Sequence, residues 1–218
     1  MTEKVKVKIC GIRDSDTMKL CVDEGADFIG LNFSPLSVRN ISPSHAASLL
    51  SVLENGVPKF LRPKVVFLFY RNSLSFVESV LGSLPYDYLQ YVSDDNLVPG
   101  NASPLYGQRN SRILSYRVQK PVSDEALSSL DSDLLILDSY VTGAGGGTGE
   151  SFPWEYVRGV KRPFFLAGGL KPETVARAVR EISPFGVDVA SGVESSPGIK
   201  DRNSIVSFIR NAKQAHVD

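Results

Sequence analysis

A lysine and a cysteine alternate near the start of the chain, in the run VKVKIC at Val5–Cys10. Because successive side chains on a strand point to opposite faces, Lys8 and Cys10 share one face with Lys6. The apolar residues Val5, Val7 and Ile9 share the other face. A thiol beside an ammonium group ionises more readily and is then a better base or nucleophile. The pattern fits equally well an unreactive Cys10 that is a small buried core residue, with a Lys8 side chain that reaches solvent. Both interpretations stay open at this point.

Two aspartates lie near the ends of apolar runs further along the chain. Asp138 closes DLLILD at Asp133–Asp138, and Asp188 lies within GVDVASG at Gly186–Gly192. A carboxylate in apolar surroundings is costly unless it is paired or used in chemistry. Lys8 is the candidate counter-ion of Asp188. Asp138 opens directly onto the glycine run GAGGGTGE and is the stronger candidate for an acid.

The elements that must position these groups are short β-branched runs alternating with helical patterns. Strands that alternate with helices pair in parallel, because parallel neighbours need a crossover connection. Eight strand–helix units predict an α/β protein with a single (β/α)8 TIM barrel, parallel and eight-stranded, over residues 1–218. An open doubly wound sheet is the alternative. The predicted strands are Val5–Cys10, Asp27–Phe33, Lys64–Tyr70, Tyr86–Val92, Arg112–Val118, Asp133–Asp138, Pro163–Gly169 and Gly186–Gly192.

The connections of the second half are less regular. The segment Asn96–Asn110 is rich in Pro, Gly and Asn, and it predicts an irregular fourth helix rather than a domain boundary. The runs SDEALSSL and PWEYVRGV predict helices after the fifth and sixth strands. If the barrel is right, the active site lies where the strands end and the following loops begin.

Small residues close the seventh and eighth predicted strands. The runs LAGGLKPETV and VASGVESSPG each end a strand and then begin a helix or a helical turn. Backbone N–H groups approach an anion closely only where side chains are absent, and these two loops of a barrel often bind phosphate. The glycine run after Asp138 fits neither a Walker loop nor GxGxxG. Together the three neighbouring loops predict a phosphate site.

The composition is that of an ordinary globular protein. Of 218 residues, 42% are hydrophobic and 22% are charged, with 24 Lys plus Arg against 24 Asp plus Glu. This balance does not indicate a nucleic-acid or membrane partner, and the start of the chain has no signal-like apolar core. Cys10 and Cys21 are too few for a disulfide framework or a four-ligand zinc site. We expect a cytoplasmic protein with reduced thiols, of which Cys21 is a core residue.

Five blocks, in order along the chain, resemble the phosphoribosylanthranilate isomerase family of tryptophan biosynthesis. They are VKICGI, GADFIGLNFSPLSVRNISP, LILDS with GGTGESFPW, PFFLAGGLKPETVARAV and GVDVASGVESSPGIKD. The resemblance covers essentially the whole chain and is weakest between Pro85 and Asn110. There the family's Val-Gln-Leu-His-Gly is replaced by YLQYVSD, so that Gln90 is kept and the His-Gly pair is not.

The resemblance implies an Amadori rearrangement of N-(5'-phosphoribosyl)anthranilate that needs no metal or redox cofactor. Asp138 matches the family's general acid, which protonates the furanose ring oxygen. Cys10 matches the general base, which removes the C2 proton of the resulting Schiff base. Arg39 matches the arginine that binds the anthranilate carboxylate. The implied substrate-binding set is Lys8, Arg39, Gln90 and Asp188, and the implied phosphate-binding set is Gly146, Gly147, Gly168, Gly169, Ser191 and Gly192.

Other phosphate-binding barrels are the competing interpretations. A histidine-biosynthesis isomerase has an aspartate where this chain has Cys10. A pentose-phosphate epimerase needs metal-binding histidines near strand ends, whereas His45 lies in a predicted helix and His216 lies near the last residue of the sequence. Indole-glycerol-phosphate synthase is normally longer. A non-catalytic phosphosugar-binding barrel, or one of relaxed specificity that includes the histidine-pathway reaction, remains the alternative. The expected partner is the small-molecule substrate, bound by a monomer or a homodimer.

Overall fold

The computed structural model describes residues 4–92, 111–128, 130–139 and 151–215. Eight parallel strands follow one another in chain order around a closed barrel, and β1 pairs with both β2 and β8. The predicted eight-stranded barrel is confirmed, and the open sheet is wrong because the first and last strands are hydrogen-bonded. The strands are β1 Lys6–Cys10, β2 Phe28–Asn32, β3 Lys64–Phe69, β4 Tyr88–Val92, β5 Ser111–Val118, β6 Leu134–Ser139, β7 Phe164–Leu166 and β8 Gly186–Val189.

Helices pack outside the barrel, and several begin at side chains suited to capping. Asp14 accepts a hydrogen bond from the Thr17 N–H at 2.7 Å, and Asp201 does the same for Ser204 at 2.7 Å. A short antiparallel hairpin, β9 Glu194–Ser196 and β10 Ile199–Lys200, follows β8. The helices are α1 Ser15–Asp23, α2 Pro43–Gly56, α3 Leu74–Ser83, α4 Asp124–Ser128, α5 Pro172–Ile182 and α6 Arg202–Gln214.

Two predicted helices are shorter than the sequence pattern indicates. After β5, α4 has only five residues, and the Leu130 N–H donates to the Leu127 carbonyl three residues back at 3.1 Å instead of continuing the α-helical hydrogen-bond pattern. After β6, a 3-10 turn at Trp154–Val157 replaces the expected helix, and the Tyr156 carbonyl accepts from the Val122 N–H instead. The predicted irregular helix at Asn96–Asn110 lies outside the described residues.

The core has two parts. Outward-facing strand residues pack against the helices in one large buried cluster, whereas the barrel interior is filled by a separate apolar layer. Within that layer, Phe28 and Phe165 meet edge to face with ring centroids 5.0 Å apart. No helix of the described residues is long and apolar enough to cross a membrane. The interior layer consists of Phe28, Val66, Ile113, Ile136, Phe165 and Ala167.

Candidate active site

Above the apolar layer, toward the carboxyl ends of the strands, the inward-facing side chains become polar. Parallel strands all present their carboxyl ends at the same rim of a barrel, so residues far apart in sequence meet there. The apolar residues of this upper layer are few and include Leu68 and Tyr70. The polar residues with inward parity are Lys8, Asn32, Gln90, Ser115, Arg117, Asp138 and Asp188, with the thiol of Cys10 beside them.

Lys8 and Asp188 form a buried ion pair across neighbouring strands. They are register partners between β1 and β8, and Lys8 Nζ donates to Asp188 Oδ1 at 2.8 Å. The Lys8 side chain is completely buried. Burial lowers its pKa, but the charges and hydrogen bonds of Asp188 and Cys10 outweigh burial, and the pKa is raised. The predicted pairing of Lys8 with Asp188 is therefore present.

Cys10 lies at the end of β1 and faces the barrel interior. It packs with Leu68 and Tyr70, and it interacts electrostatically with the Lys8 ammonium. Its register partner on β2 is Gly30, where an added Cβ would lie 2.8 Å from the Cys10 sulfur. Glycine at this position therefore leaves room for the thiol. Cys21 is a fully buried core thiol, as predicted, and burial raises its pKa to about 12.

Asp138 ends the interior face of β6. Burial and the negative charge of Asp188 raise its pKa to about 6, against the opposing effects of the Ser139 N–H and of Arg117 and Lys8. The Ser139 N–H donates to Asp138 Oδ1 at 2.8 Å. A carboxyl group with such a pKa is partly protonated near neutral pH, and it can therefore donate a proton to a bound substrate.

The end of β6 and the loops after β7 and β8 line an open cleft next to Asp138. Gly168 and Gly169 have positive φ values of 83° and 64°, a conformation that favours glycine. A Cβ at Gly168 would lie 2.8 Å from the Ser139 N atom, and one at Gly192 would overlap the Leu170 carbonyl. The absence of side chains therefore allows these two loops and the end of β6 to pack together. Gly168, Gly169, Ser191 and Gly192 line this cleft, whereas Gly146 and Gly147 lie outside the described residues.

Arg39 extends from the loop after β2 and is held by a carboxylate on the hairpin. Its Nε donates to Glu194 Oε1 at 2.7 Å and its Nη2 donates to Glu194 Oε2 at 2.8 Å. Lys200 Nζ donates to the same Oε1 at 2.9 Å. Burial would raise the pKa of Glu194, but the hydrogen bond from Arg39 and the charge of Lys200 outweigh it and lower the pKa to about 2. The sequence interpretation assigned no role to Glu194 or Lys200, although both lie in the block GVDVASGVESSPGIKD.

The opposite side of the rim carries Gln90 on β4 with Ser115 and Arg117 on β5. Gln90 Nε2 donates to Ser115 Oγ at 2.8 Å, while its buried Oε1 has no hydrogen-bond partner within the described residues. The Arg117 guanidinium lies 5.7 Å from the centre of the Tyr70 ring, and Arg117 is the register partner of Asp138. Sequence reasoning missed Ser115 and Arg117, although their alternation in RILSYRV places both on one strand face with Ile113.

Comparison with known proteins decides the family. Residues 7–211 match the family described as N-(5'phosphoribosyl)anthranilate (PRA) isomerase. The chain belongs to the PRA isomerase family. A relative from Leptospira interrogans serogroup Icterohaemorrhagiae (strain Fiocruz L1-130), named N-(5'-phosphoribosyl)anthranilate isomerase, is 48% identical over 97% of this chain and 96% of its own. The resemblance found in the sequence blocks is confirmed.

Solved PRA isomerases share the fold. The structure of the Thermotoga maritima protein has a TM-score of 0.75 and 30% identity, over 96% of this chain and 98% of that one. Another PRA isomerase, solved in complex with reduced 1-(o-carboxyphenylamino)-1-deoxyribulose 5-phosphate, has a TM-score of 0.72 and 29% identity over the same shares. Among the described residues of this chain, no group of three or more His, Cys, Asp or Glu side chains is placed to bind a metal ion.

Proposed function

We propose that this chain converts N-(5'-phosphoribosyl)anthranilate into 1-(2-carboxyphenylamino)-1-deoxyribulose 5-phosphate, a step of tryptophan biosynthesis. The observation that carries the proposal is a proton donor and a thiol at one barrel rim. Asp138, with a pKa raised to about 6, ends β6, and Cys10 ends β1. Both residues point into the barrel of a chain that belongs to the PRA isomerase family. A glycine-lined cleft suited to phosphate adjoins Asp138.

In the first half of the reaction, Asp138 acts as the general acid. It donates its proton to the furanose ring oxygen while the bond between C1 and that oxygen breaks. The nitrogen lone pair forms the C1=N bond, which gives a ring-opened, protonated Schiff base, and Asp138 is left as a carboxylate. Lys8 and Arg117 favour this charged form electrostatically.

In the second half, Cys10 acts as the general base in its thiolate form. It removes the proton from C2, the electrons of that C–H bond form C1=C2, and the C=N electrons return to nitrogen. The resulting enol loses a proton from its C2 hydroxyl and gains one at C1 to become the ketone. The Lys8 ammonium interacts electrostatically with Cys10 and lies beside the proposed base.

The remaining rim residues hold the substrate between these two groups. We assign the phosphate to the cleft lined by Gly168, Gly169, Ser191 and Gly192, where backbone atoms are accessible. Arg39 takes the anthranilate carboxylate, since a guanidinium matches a planar carboxylate. The Oε1 of Gln90, which has no partner among the described residues, can accept from a sugar hydroxyl. Lys8 and Asp188, as a fixed ion pair, orient the sugar near C2.

A direct assay tests this function. The protein is mixed with N-(5'-phosphoribosyl)anthranilate formed freshly from anthranilate and ribose 5-phosphate, and the loss of anthranilate-type fluorescence is followed. We expect rapid loss with the parent protein. We expect little loss with Cys10→Ala or Asp138→Ala variants that keep their circular dichroism spectrum and their affinity for the reduced product analogue.

The same assay separates the alternatives. A parent protein that binds the reduced product analogue without turnover would support a non-catalytic phosphosugar-binding barrel. Turnover of the histidine-pathway aminoaldose as well would indicate relaxed specificity. Neither outcome is expected from the retained acid and thiol, because binding alone requires neither group.

A further inference from the structure

The carboxylate that holds Arg39 is itself bound by a second cation. Glu194 lies on β9 and Lys200 on β10, and the two are register partners in the hairpin. Lys200 Nζ reaches Glu194 Oε1 at 2.9 Å, the oxygen that also accepts from Arg39 Nε at 2.7 Å. The Gly198 N–H donates to the other oxygen at 3.1 Å. Arg39, Glu194 and Lys200 therefore form one buried cluster, which we call the arginine cluster.

The three side chains are almost completely removed from water. Their exposed fractions are 10% for Arg39, 3% for Glu194 and 2% for Lys200. A buried lysine has a substantial desolvation cost, and a buried ion pair adds little net stability compared with apolar packing. A second buried cation on an already paired carboxylate therefore calls for an explanation other than the stability of the hairpin.

Charge supplies that explanation. A bidentate arginine–carboxylate pair is neutral overall and attracts a further carboxylate only weakly. Two cations around one carboxylate leave one net positive charge on the cluster, and Glu194 stays ionised because its pKa is held at about 2. At low local dielectric this single charge strongly affects the affinity for an anion.

Lys200 also ties the arginine cluster to the phosphate cleft. Its Nζ donates to the Ala190 carbonyl at 2.8 Å, one residue after β8 and directly before Ser191 of the cleft. One ammonium group therefore contacts the end of β8 and the carboxylate that orients Arg39. This geometry places Lys200 between the two anion-binding regions that the substrate must span.

We propose that Lys200 is a positioning residue that offsets the negative charge of Glu194 and so leaves the Arg39 guanidinium with a net positive charge for the anthranilate carboxylate. The inference rests on the proposed function, and it adds to that function the group that sets the charge of the carboxylate site. It also assigns Glu194 as the carboxylate that fixes the orientation of the Arg39 guanidinium.

The test compares two substrates that differ only in the carboxylate. N-(5'-phosphoribosyl)anthranilate and N-(5'-phosphoribosyl)aniline are formed freshly from ribose 5-phosphate and the two amines, and kcat and KM are measured for each. For Lys200→Met we expect KM for the anthranilate compound to rise about 10- to 100-fold, in line with the loss of a buried charge interaction. We expect KM for the aniline compound and both kcat values to change less than about 3-fold, since none of these three quantities depends on binding of the carboxylate.

A double variant separates charge from geometry. Lys200→Met with Glu194→Gln again has one net positive charge on Arg39, although the bond to Ala190 is still missing. We expect KM for the anthranilate compound to recover by about 10-fold relative to Lys200→Met alone. Lys200→Arg keeps the charge and is expected to stay close to the parent. Thermal unfolding of each variant establishes that the proteins compared are folded.

The outcomes are distinct. Equal increases in KM for both substrates, or no recovery in the double variant, would overturn the charge role and leave Lys200 a structural residue. If Lys200→Met does not fold, the folded double variant decides: a KM ratio between the two substrates close to that of the parent supports the proposal, and a ratio at least 10-fold higher overturns it. A parent protein inactive on the anthranilate compound would overturn the proposed function itself, which is seen before any variant is compared.

Discussion

Single residues at the barrel rim have environments that favour different roles. Lys8 is paired with Asp188 at 2.8 Å, and Asp188 in turn raises the pKa of Asp138. Cys10 also interacts electrostatically with Lys8. A thiol and a protonated carboxyl group are thus brought near one ammonium group. The two proposed proton transfers can be tested at these residues one at a time.

The thiol of Cys10 is the first target. We expect Cys10→Ala to lower kcat about 10²- to 10⁴-fold, the usual contribution of a general base, with a smaller change in KM. Cys21→Ala is the matched control, because Cys21 is a buried thiol of α1 that has no part in the proposed proton transfers. Steady-state kinetics below the unfolding temperature measures both. A Cys21→Ala variant that loses activity as severely as Cys10→Ala would contradict the assignment.

The pKa of Asp138 predicts a pH dependence. Burial and Asp188 raise this pKa to about 6, so the protonated acid predominates below pH 6 and decreases about tenfold for each further unit above it. We expect kcat/KM to fall on the alkaline side with an apparent pKa near 6, and Asp138→Asn to lose at least about 100-fold in kcat.

The Asp138→Asn variant is the control for that profile. Its residual activity should lack the limb near pH 6, because the titrating group has been removed. If the limb persists in the variant, another group is responsible for it.

At the scale of elements, the end of β6 and the loops after β7 and β8 pack through glycines rather than side chains. Gly168 approaches the end of β6, and Gly192 approaches the Leu170 carbonyl in the loop after β7. The hairpin of β9 and β10 then links the end of β8 to Arg39 through Lys200 and Glu194. The spacing of the anion-binding groups is therefore set by loop-to-loop packing, not by any one strand.

Gly192→Ala tests this packing. The added Cβ would overlap the Leu170 carbonyl, so the loops after β7 and β8 must separate. We expect about 1–3 kcal/mol of lost stability and at least about a 10-fold rise in KM, as phosphate contacts are disturbed. Denaturant unfolding and steady-state kinetics measure the two effects.

Gly159→Ala is the matched control, because nothing lies within 4 Å of the Cβ that it adds. It should change neither stability nor KM appreciably. If both variants bind substrate like the parent, the close approach of the two loops is unimportant for phosphate.

At the scale of the whole molecule, the apolar residues that stabilise the barrel and the residues proposed for catalysis lie at different levels along the barrel axis. Its interior layer is apolar and the polar residues stand above that layer, near the rim. Phe165 is completely buried in this layer and touches both Phe28 and Phe185 edge to face. The layer therefore supports the rim without contributing a reacting group.

Phe165→Ala is expected to cost about 3–5 kcal/mol of unfolding free energy, since it leaves a cavity in the barrel interior. Phe60→Ala is the control, because Phe60 is 86% exposed and its loss should change stability by less than about 0.5 kcal/mol. Denaturant unfolding measures both. Equal losses at the two positions would contradict the contribution of the interior layer to stability.

Much of the scaffold was predictable from local patterns. The alternation of strands and helices predicts the barrel, and strand parity predicts that Lys8, Asp138 and Asp188 face inward, as the Lys8–Asp188 pair confirms. The lengths of two helices were wrong. The Leu130 N–H takes the Leu127 carbonyl at the end of α4, and the distant Val122 N–H takes the Tyr156 carbonyl. Such competing hydrogen bonds leave no periodic signal in the sequence.

By itself, the sequence determined the strand order, the inward faces and the family, since these follow from local periodicity and from the blocks of residues. Only the tertiary structure decided that Glu194 and Lys200 lie beside Arg39. The contact of Arg39 with Glu194 spans 155 residues. Electrostatic energies depend on distance in space and on burial, and both arise only when the barrel closes. The raised pKa of Asp138 and the net charge at Arg39 are therefore products of the fold.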